Sequence, residues 1–313
     1  MAHRQINKSV LPGHFAMLAA TIMWGAMAPI AKGILQEGNI GGVALSALRI
    51  GGGALLFLIA SLLPRKLTGD RFVERKDLLK LFLASVVMIS FNQGLFIIGI
   101  EYTSPVDTAV MCTLTPVFTL ILAAFFIGQL MTPLKVLGVV LGLSGALMMA
   151  FSEGGTSVAS NPLLGDTLCI IAQVCAAIYY VFFLDIINKY PPFTIMKWMF
   201  FFSFITYVPC VSSSLIGIDW AFSSKTILSL AYIIVFPTFI AYLIIPFSQR
   251  LLKPTVISMY AYFQPVVASV LAAIMGLAIF GWDRILATIL IFIGVAMVSL
   301  VTGGKFREAR HGK

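Results

Sequence analysis

Few side chains in this sequence could do covalent chemistry. The three histidines, His3, His14 and His311, stand near the chain ends, so no buried base or metal cluster can be built from them. Cys112, Cys169, Cys175 and Cys210 fall in apolar runs and lack the spacing of a metal site or a disulfide framework. Gly51, Gly52 and Gly53 are not followed by the Lys-Ser/Thr of a phosphate loop, and their reading is close helix approach. No cofactor, metal or ATP-driven step is therefore expected of this chain alone. What remains is the chemistry of recognition. Asn92, Gln93, Phe96, Met111, Thr115, Gln173, Tyr180, Tyr242, Tyr260, Gln264 and Trp24 offer amides, phenols, a hydroxyl and an indole among apolar walls, which suits an organic solute held by a few hydrogen bonds. Taken singly, each is more simply a hydrogen bond between helices or an interfacial aromatic.

The elements that must position these residues follow from composition. Sixty per cent of the 313 residues are apolar and 11% are charged, with a mean hydropathy of +1.01. That is a multispanning membrane protein rather than a soluble domain. Apolar runs of about 18 to 24 residues recur, each long enough to cross a hydrocarbon core as a helix. The predicted spans are 14–33, 43–63, 77–100, 104–126, 133–151, 163–184, 194–216, 225–247, 254–279 and 282–301. The loops, of which 64–76 and 152–162 are the longest, leave no room for a soluble domain. The first helix lacks a small-residue cleavage site and is expected to stay as a span. The net charge of +9 reflects orientation rather than nucleic-acid binding. All Lys and Arg except Lys32, Arg49, Lys225 and Arg284 fall on one side of this topology, which puts both termini in the cytoplasm.

A duplication organises the chain. Pro105 and Pro116 are eleven residues apart; so are Pro254 and Pro265, 149 residues later. Gln93 and Tyr242 are separated by the same 149. The reading is an all-α membrane protein of ten transmembrane helices in two inverted five-helix repeats, residues 1–151 and 163–313, joined by the loop 152–162. Inverted repeats are a recurrent construction of secondary transporters, with the solute site near mid-membrane between the halves.

Particular residues also carry a resemblance. WGAMAPIAK (Trp24 to Lys32), ALRIGGGALL around Arg49, the stretch from Pro105 to Pro116, GVVLGLSGALMM in the fifth span and the second copy at Pro254 to Pro265 together resemble the EamA-like branch of the drug/metabolite transporter superfamily. The resemblance implies ten helices in two inverted halves and a central cavity lined mainly by helices 1, 3, 4, 6, 8 and 9. It also implies export of amino acids or other small metabolites across the cytoplasmic membrane. The chain departs from the family pattern at Gln129, where a glutamate is common. Uptake, or nucleotide-sugar or drug transport, is the alternative on the same scaffold. An intramembrane enzyme or a membrane scaffold is the alternative of another class.

On this topology Lys32, Arg49 and Asp107 project from the outer helix ends. Arg49 either snorkels to the surface or pairs with Asp107 as an outer closure. Pro116 and Pro265 are read as interior kinks whose freed carbonyls face a cavity, against simple tolerance of proline in a membrane helix. Gly138, Gly142 and Gly145 are read as packing within the bundle, against a dimer face. The solute is expected to carry no strong charge, because the mid-depth inventory holds almost no ionised group. The topology has a direct check. A cysteine placed at Arg71 is expected to react with an impermeant thiol reagent only from the cytoplasmic side; labelling from outside intact cells overturns the orientation.

Overall fold

A computed structural model of the protein describes residues 10–37, 40–103, 105–152, 160–216, 218, 220, 222–274 and 282–311. The amino-terminal basic segment, most of the loop between the halves and the end of the ninth predicted span lie outside them. The described residues contain helices and no strand. In order these are α1 (Leu11–Gln36), α2 (Gly42–Ser61), the short α3 (Arg65–Thr68), α4 (Arg75–Ser85), α5 (Gly94–Tyr102), α6 (Pro105–Cys112), α7 (Thr115–Ile127) and α8 (Pro133–Ser152). There follow α9 (Pro162–Phe182), α10 (Leu184–Lys189), α11 (Pro192–Cys210), α12 (Ser224–Ile234), α13 (Ala241–Gln249), α14 (Pro254–Met259), α15 (Phe263–Ile274) and α16 (Trp282–His311).

Among the described residues, seven helical segments are long and apolar enough to cross a membrane. Two further apolar helices, Pro133–Met148 and Ile285–Val301, are shorter. The ninth predicted span is interrupted at Tyr260–Tyr262 and described only to Ile274.

Helical regularity is broken at corresponding places. A π-helical segment, Val86–Gln93, joins α4 to α5, and a second, Val235–Ile240, joins α12 to α13. Their first residues are 149 apart, the spacing of the duplication. Such wide turns are rare and are found mostly where a helix serves a site.

The two proline helices are broken rather than kinked. Pro116 stands in the first turn of α7, after a turn at Thr113 and Leu114. Pro265 lies in the first turn of α15, after a 3₁₀ stretch at Tyr260–Tyr262. This corrects the expected interior kinks, and the cause is steric. A proline ring lacks an N–H and crowds the carbonyl four residues back, so a chain with other support can stop one helix and start the next. At Pro116 the carbonyl concerned belongs to Cys112, and the Thr115 hydroxyl lies 3.0 Å from it.

The glycine-rich face of α8 packs inside the bundle. A Cβ on Gly294 of α16 would come within 2.5 Å of the Gly138 carbonyl oxygen, and one on Gly145 within 2.6 Å of that of Ala287. Gly294 lies 149 residues after Gly145, and Ala287 149 after Gly138. The contact is thus reciprocal, as expected of two elements related by a two-fold axis. On α2 the glycines likewise admit neighbours: a Cβ on Gly53 would lie 2.6 Å from the Phe200 ring and 2.9 Å from Thr238.

The loop between α2 and α4 is tied to α10 and α11. Asp70 pairs with Lys197 and accepts from the Thr194 hydroxyl at 2.9 Å. Lys189 lies 2.8 Å from Glu74 and 2.5 Å from Asp77. Hydrogen bonds from Lys189 and Lys76 hold the Glu74 carboxyl below the usual carboxylate range. Asp77 and Glu74 in turn raise the Lys189 ammonium above its ordinary value.

A stability measurement probes the α8 and α16 seam. Gly294→Ala is expected to lower the stability of the purified protein in detergent by about 1–3 kcal/mol, because its new methyl meets backbone rather than a movable side chain. An unchanged unfolding midpoint would contradict so close an approach.

Candidate functional site

The first π segment and both proline breaks border a cavity of about 600 Å³, open solvent at its mouth included, and Tyr242, just after the second π segment, lines it as well. Of the residues selected from the sequence, Trp24, Asn92, Gln93, Phe96, Thr115, Gln173, Tyr180, Tyr242 and Gln264 line it. Met111 and Tyr260 do not. Tyr260 instead places its hydroxyl 2.7 Å from His14 Nδ1, linking α1 to the 3₁₀ stretch. Tyr260 precedes Gln264, and Met111 precedes Thr115, by four residues, which in an unbroken α-helix would put each pair on one face. The breaks at 260–262 and 113–114 change the rotation between the members of each pair.

The polar groups of the wall are oriented by specific partners. Trp24 Nε1 donates to the Pro237 carbonyl in the second π segment at 2.9 Å, and its ring meets Tyr242 edge to face at 5.8 Å. Phe200 packs against the same phenol at 5.5 Å. Asn92 Nδ2 donates to the Ala172 carbonyl of α9 at 2.7 Å. The Thr115 hydroxyl is 2.6 Å from Gln173 Oε1. Gln93 differs from these. It is 1% exposed, and its amide stands beside the Tyr242 phenol without a well-directed hydrogen bond to either polar atom.

Arg49 is where the structure departs furthest from expectation. Neither snorkelling nor a pair with Asp107 is found. The side chain is 2% exposed, lines the cavity and donates from Nε to Thr238 Oγ1 at 2.7 Å. Thr238 is held in turn by its own donation to the Ile233 carbonyl, five residues back across the start of the π segment, at 2.8 Å. Asp107 belongs to another neighbourhood, with Oδ2 3.5 Å from the Thr103 hydroxyl. Lys32, also expected at an outer helix end, gives its ammonium to the carbonyls of Ile100, Glu101 and Thr103 at 2.8, 3.2 and 3.0 Å. There a cation complements the negative end of the α5 dipole. Gln129, at the place of the family glutamate, is buried and donates to Thr255 Oγ1 at 2.5 Å.

The sequence reading also missed how far the duplication extends into the wall. Besides Gln93 and Tyr242, the lining pairs Trp24 with Gln173, Met27 with Ala176, Cys112 with Ala261 and Thr115 with Gln264, each 149 residues apart. Applying the one offset along the whole chain would have found them. Arg49 has no such counterpart: Trp198 stands at the matching place and packs against Phe201 and Phe202.

The family model of the EamA-like transporters matches residues 11–151 and 163–300. The chain belongs to the EamA-like transporter family. It is therefore a multi-pass membrane protein of a transporter family. It is 23% identical over 305 residues to the uncharacterized inner membrane transporter YicL of Salmonella typhimurium, covering 96% of this chain and 99% of that one. It is 24% identical over 272 residues to the uncharacterized transporter YdfC of Bacillus subtilis, covering 86% and 84%. A crystal structure of a protein with 17% identity superposes on this EamA-like chain with a TM-score of 0.71, over 94% of this chain and 96% of the other, and shows that they share a fold.

The Arg49 contact gives a stability test. Thr238→Val leaves the guanidinium without its described acceptor, so the EamA-like protein is expected to lose about 1–3 kcal/mol of stability. Thr238→Ser, which keeps the hydroxyl, should lose less. Equal behaviour of the two variants by thermal unfolding would place the effect in packing instead.

Proposed function

We propose that this EamA-like protein is a secondary transporter of small organic metabolites in the cytoplasmic membrane, working by alternating access between two inverted five-helix halves. The observation that carries this reading is the cavity, ten of whose nineteen described lining residues fall in pairs at the one offset of 149. Solute sites at the interface of inverted repeats are the general arrangement of such transporters. The reciprocal contact of Gly138 with Gly294 and Gly145 with Ala287, the paired π segments and the two matched ranges of the family model support the division into halves. Export of amino acids or related compounds is the activity that the family resemblance favours, and basic loops favour cytoplasmic termini. The cavity offers hydrogen-bonding groups and aromatic walls suited to binding rather than to bond making. Among the described residues no group of three His, Cys, Asp or Glu is placed to hold a metal.

Flux of labelled metabolites into and out of proteoliposomes containing the full chain tests the reading. For a solute that is moved, Gln93→Ala and Tyr242→Phe are each expected to weaken binding by about 1 kcal/mol or more. Phe125→Ala, at a side chain 80% exposed on the outside of the bundle, should leave affinity unchanged. If all three variants bind as the parent does, the solute site lies elsewhere.

A further inference from the structure

Arg49 is the part of the cavity that the transport reading leaves unused. A guanidinium carries five N–H donors in a planar fork and stays protonated at any physiological pH. Here, among the described residues, its one hydrogen bond runs from Nε to the neutral hydroxyl of Thr238, and no ion pair reaches it. Burying a charge without a counter-charge costs several kcal/mol, and that cost falls when an anion with matching geometry arrives.

Among the described residues the cavity wall does not supply the anion: none of the lining residues is acidic. The carboxylates described elsewhere have other partners: Glu37 meets Thr226, Glu101 accepts from the Gly42 N–H at 3.0 Å, Asp166 accepts from Thr103 at 2.5 Å and Asp185 pairs with Lys80. A second observation points to a ligand at the same place. Both polar atoms of the Gln93 amide are buried and make no well-directed hydrogen bond; the amide stands beside the Tyr242 phenol and lines the cavity with it and Arg49. A buried amide in that state bears its desolvation cost until a better-directed partner arrives.

Trp24, Phe96, Met27 and Met88 add aromatic and thioether surface to the wall, beside the neutral polar groups of Thr21, Asn92, Gln173 and Gln264. An ammonium group entering this space would find phenol and π faces but no carboxylate. A carboxylate would find a guanidinium whose planar fork fits its two oxygens.

We propose that the cavity binds a small organic anion, a single carboxylate on an apolar or aromatic body, with Arg49 taking the carboxylate and Gln93 bonding to it or to an adjacent polar group. Solutes whose charge is an ammonium are rejected. Free amino acids bind more weakly than the corresponding acids without an amino group. This narrows the solute class of the transport reading above and rests on the same cavity.

The test uses the purified full-length protein in lipid nanodiscs, with phenylacetate, hexanoate, phenylacetamide, phenethylamine and phenylalanine as probes. Saturable stabilisation against thermal unfolding is expected from at least one of the two carboxylates, and little from the amide or the amine. Phenylalanine should act only at higher concentration than phenylacetate. Arg49→Gln is expected to weaken carboxylate binding about tenfold or more, because it removes a charge-assisted hydrogen bond, while Arg49→Lys retains part of it. Gln93→Ala, which leaves the charge in place, should also weaken binding; it keeps the test open if Arg49→Gln does not fold. The inference is overturned if neither carboxylate stabilises the protein, if the amine or amide acts as well as the acid, or if Arg49→Lys and Gln93→Ala bind as the parent does. Flux in proteoliposomes separates the two claims. Carboxylate binding without flux defeats the transport reading and leaves the anion site; preferential flux of amines defeats the anion site and leaves the transport reading.

Discussion

In hydrocarbon, a backbone N–H or C=O has no water to turn to, so irregular chain survives only where protein or a wet cavity surrounds it. That constraint organises this molecule. Four of the departures from α-helix within the predicted spans are two π segments, a turn at 113–114 and a 3₁₀ stretch at 260–262. Residues in or within two positions of each line the cavity, whereas the turn at Phe183 and the 3₁₀ stretch Ser212–Leu215 do not border it. Side chains take up backbone groups at the second π segment: Trp24 on the Pro237 carbonyl and Thr238 on that of Ile233. Broken helix and polar wall are therefore one feature. Freed carbonyls need donors, and those donors must be fixed in place, which gives the wall its geometry.

The opposite requirement holds at the seam of α8 and α16. There the backbones approach so closely that added methyl groups would come within 2.5–2.6 Å of carbonyl oxygens. Small residues permit that approach, and dispersion across a wide contact area replaces the hydrophobic drive that lipid cannot supply between helices. This regular pair of glycine-faced helices abuts the broken ninth span: a Cβ on Gly142 would come within 2.5 Å of the Tyr262 ring, and the Tyr262 hydroxyl donates to the Val139 carbonyl at 3.2 Å.

Hydropathy makes the helical, multi-pass character legible, and the single offset of 149 links Gln93 to Tyr242, which line the same cavity. Trp24, Asn92, Gln173 and Tyr180 line the cavity while Met111 and Tyr260 do not; the latter two stand beside or within the breaks at 113–114 and 260–262, where side chains no longer follow the rotation of a continuous helix. Pro116 and Pro265 announced irregular chain but not the side on which the helix would stop. Arg49 was assigned to a helix end by the rule that charge avoids the membrane centre. What overrides the rule is a hydroxyl 189 positions away in sequence, and no local pattern reports such a partner.

The reciprocal contact of Gly138 with Gly294 and Gly145 with Ala287 has a consequence for how such a cavity can be charged. A chamber assembled from two identical five-helix chains would show every wall residue twice, once on each side of the axis. An arginine in it would then face a second arginine across the same small space, and their repulsion would add to the desolvation of each. On the two-half reading proposed above, joining the halves in one chain lets the two positions diverge. One keeps the guanidinium and the other carries Trp198, packed among phenylalanines and not among the lining residues. Among the described lining residues Arg49 is then the one cation, an asymmetry available to a covalently joined pair and not to a homodimer.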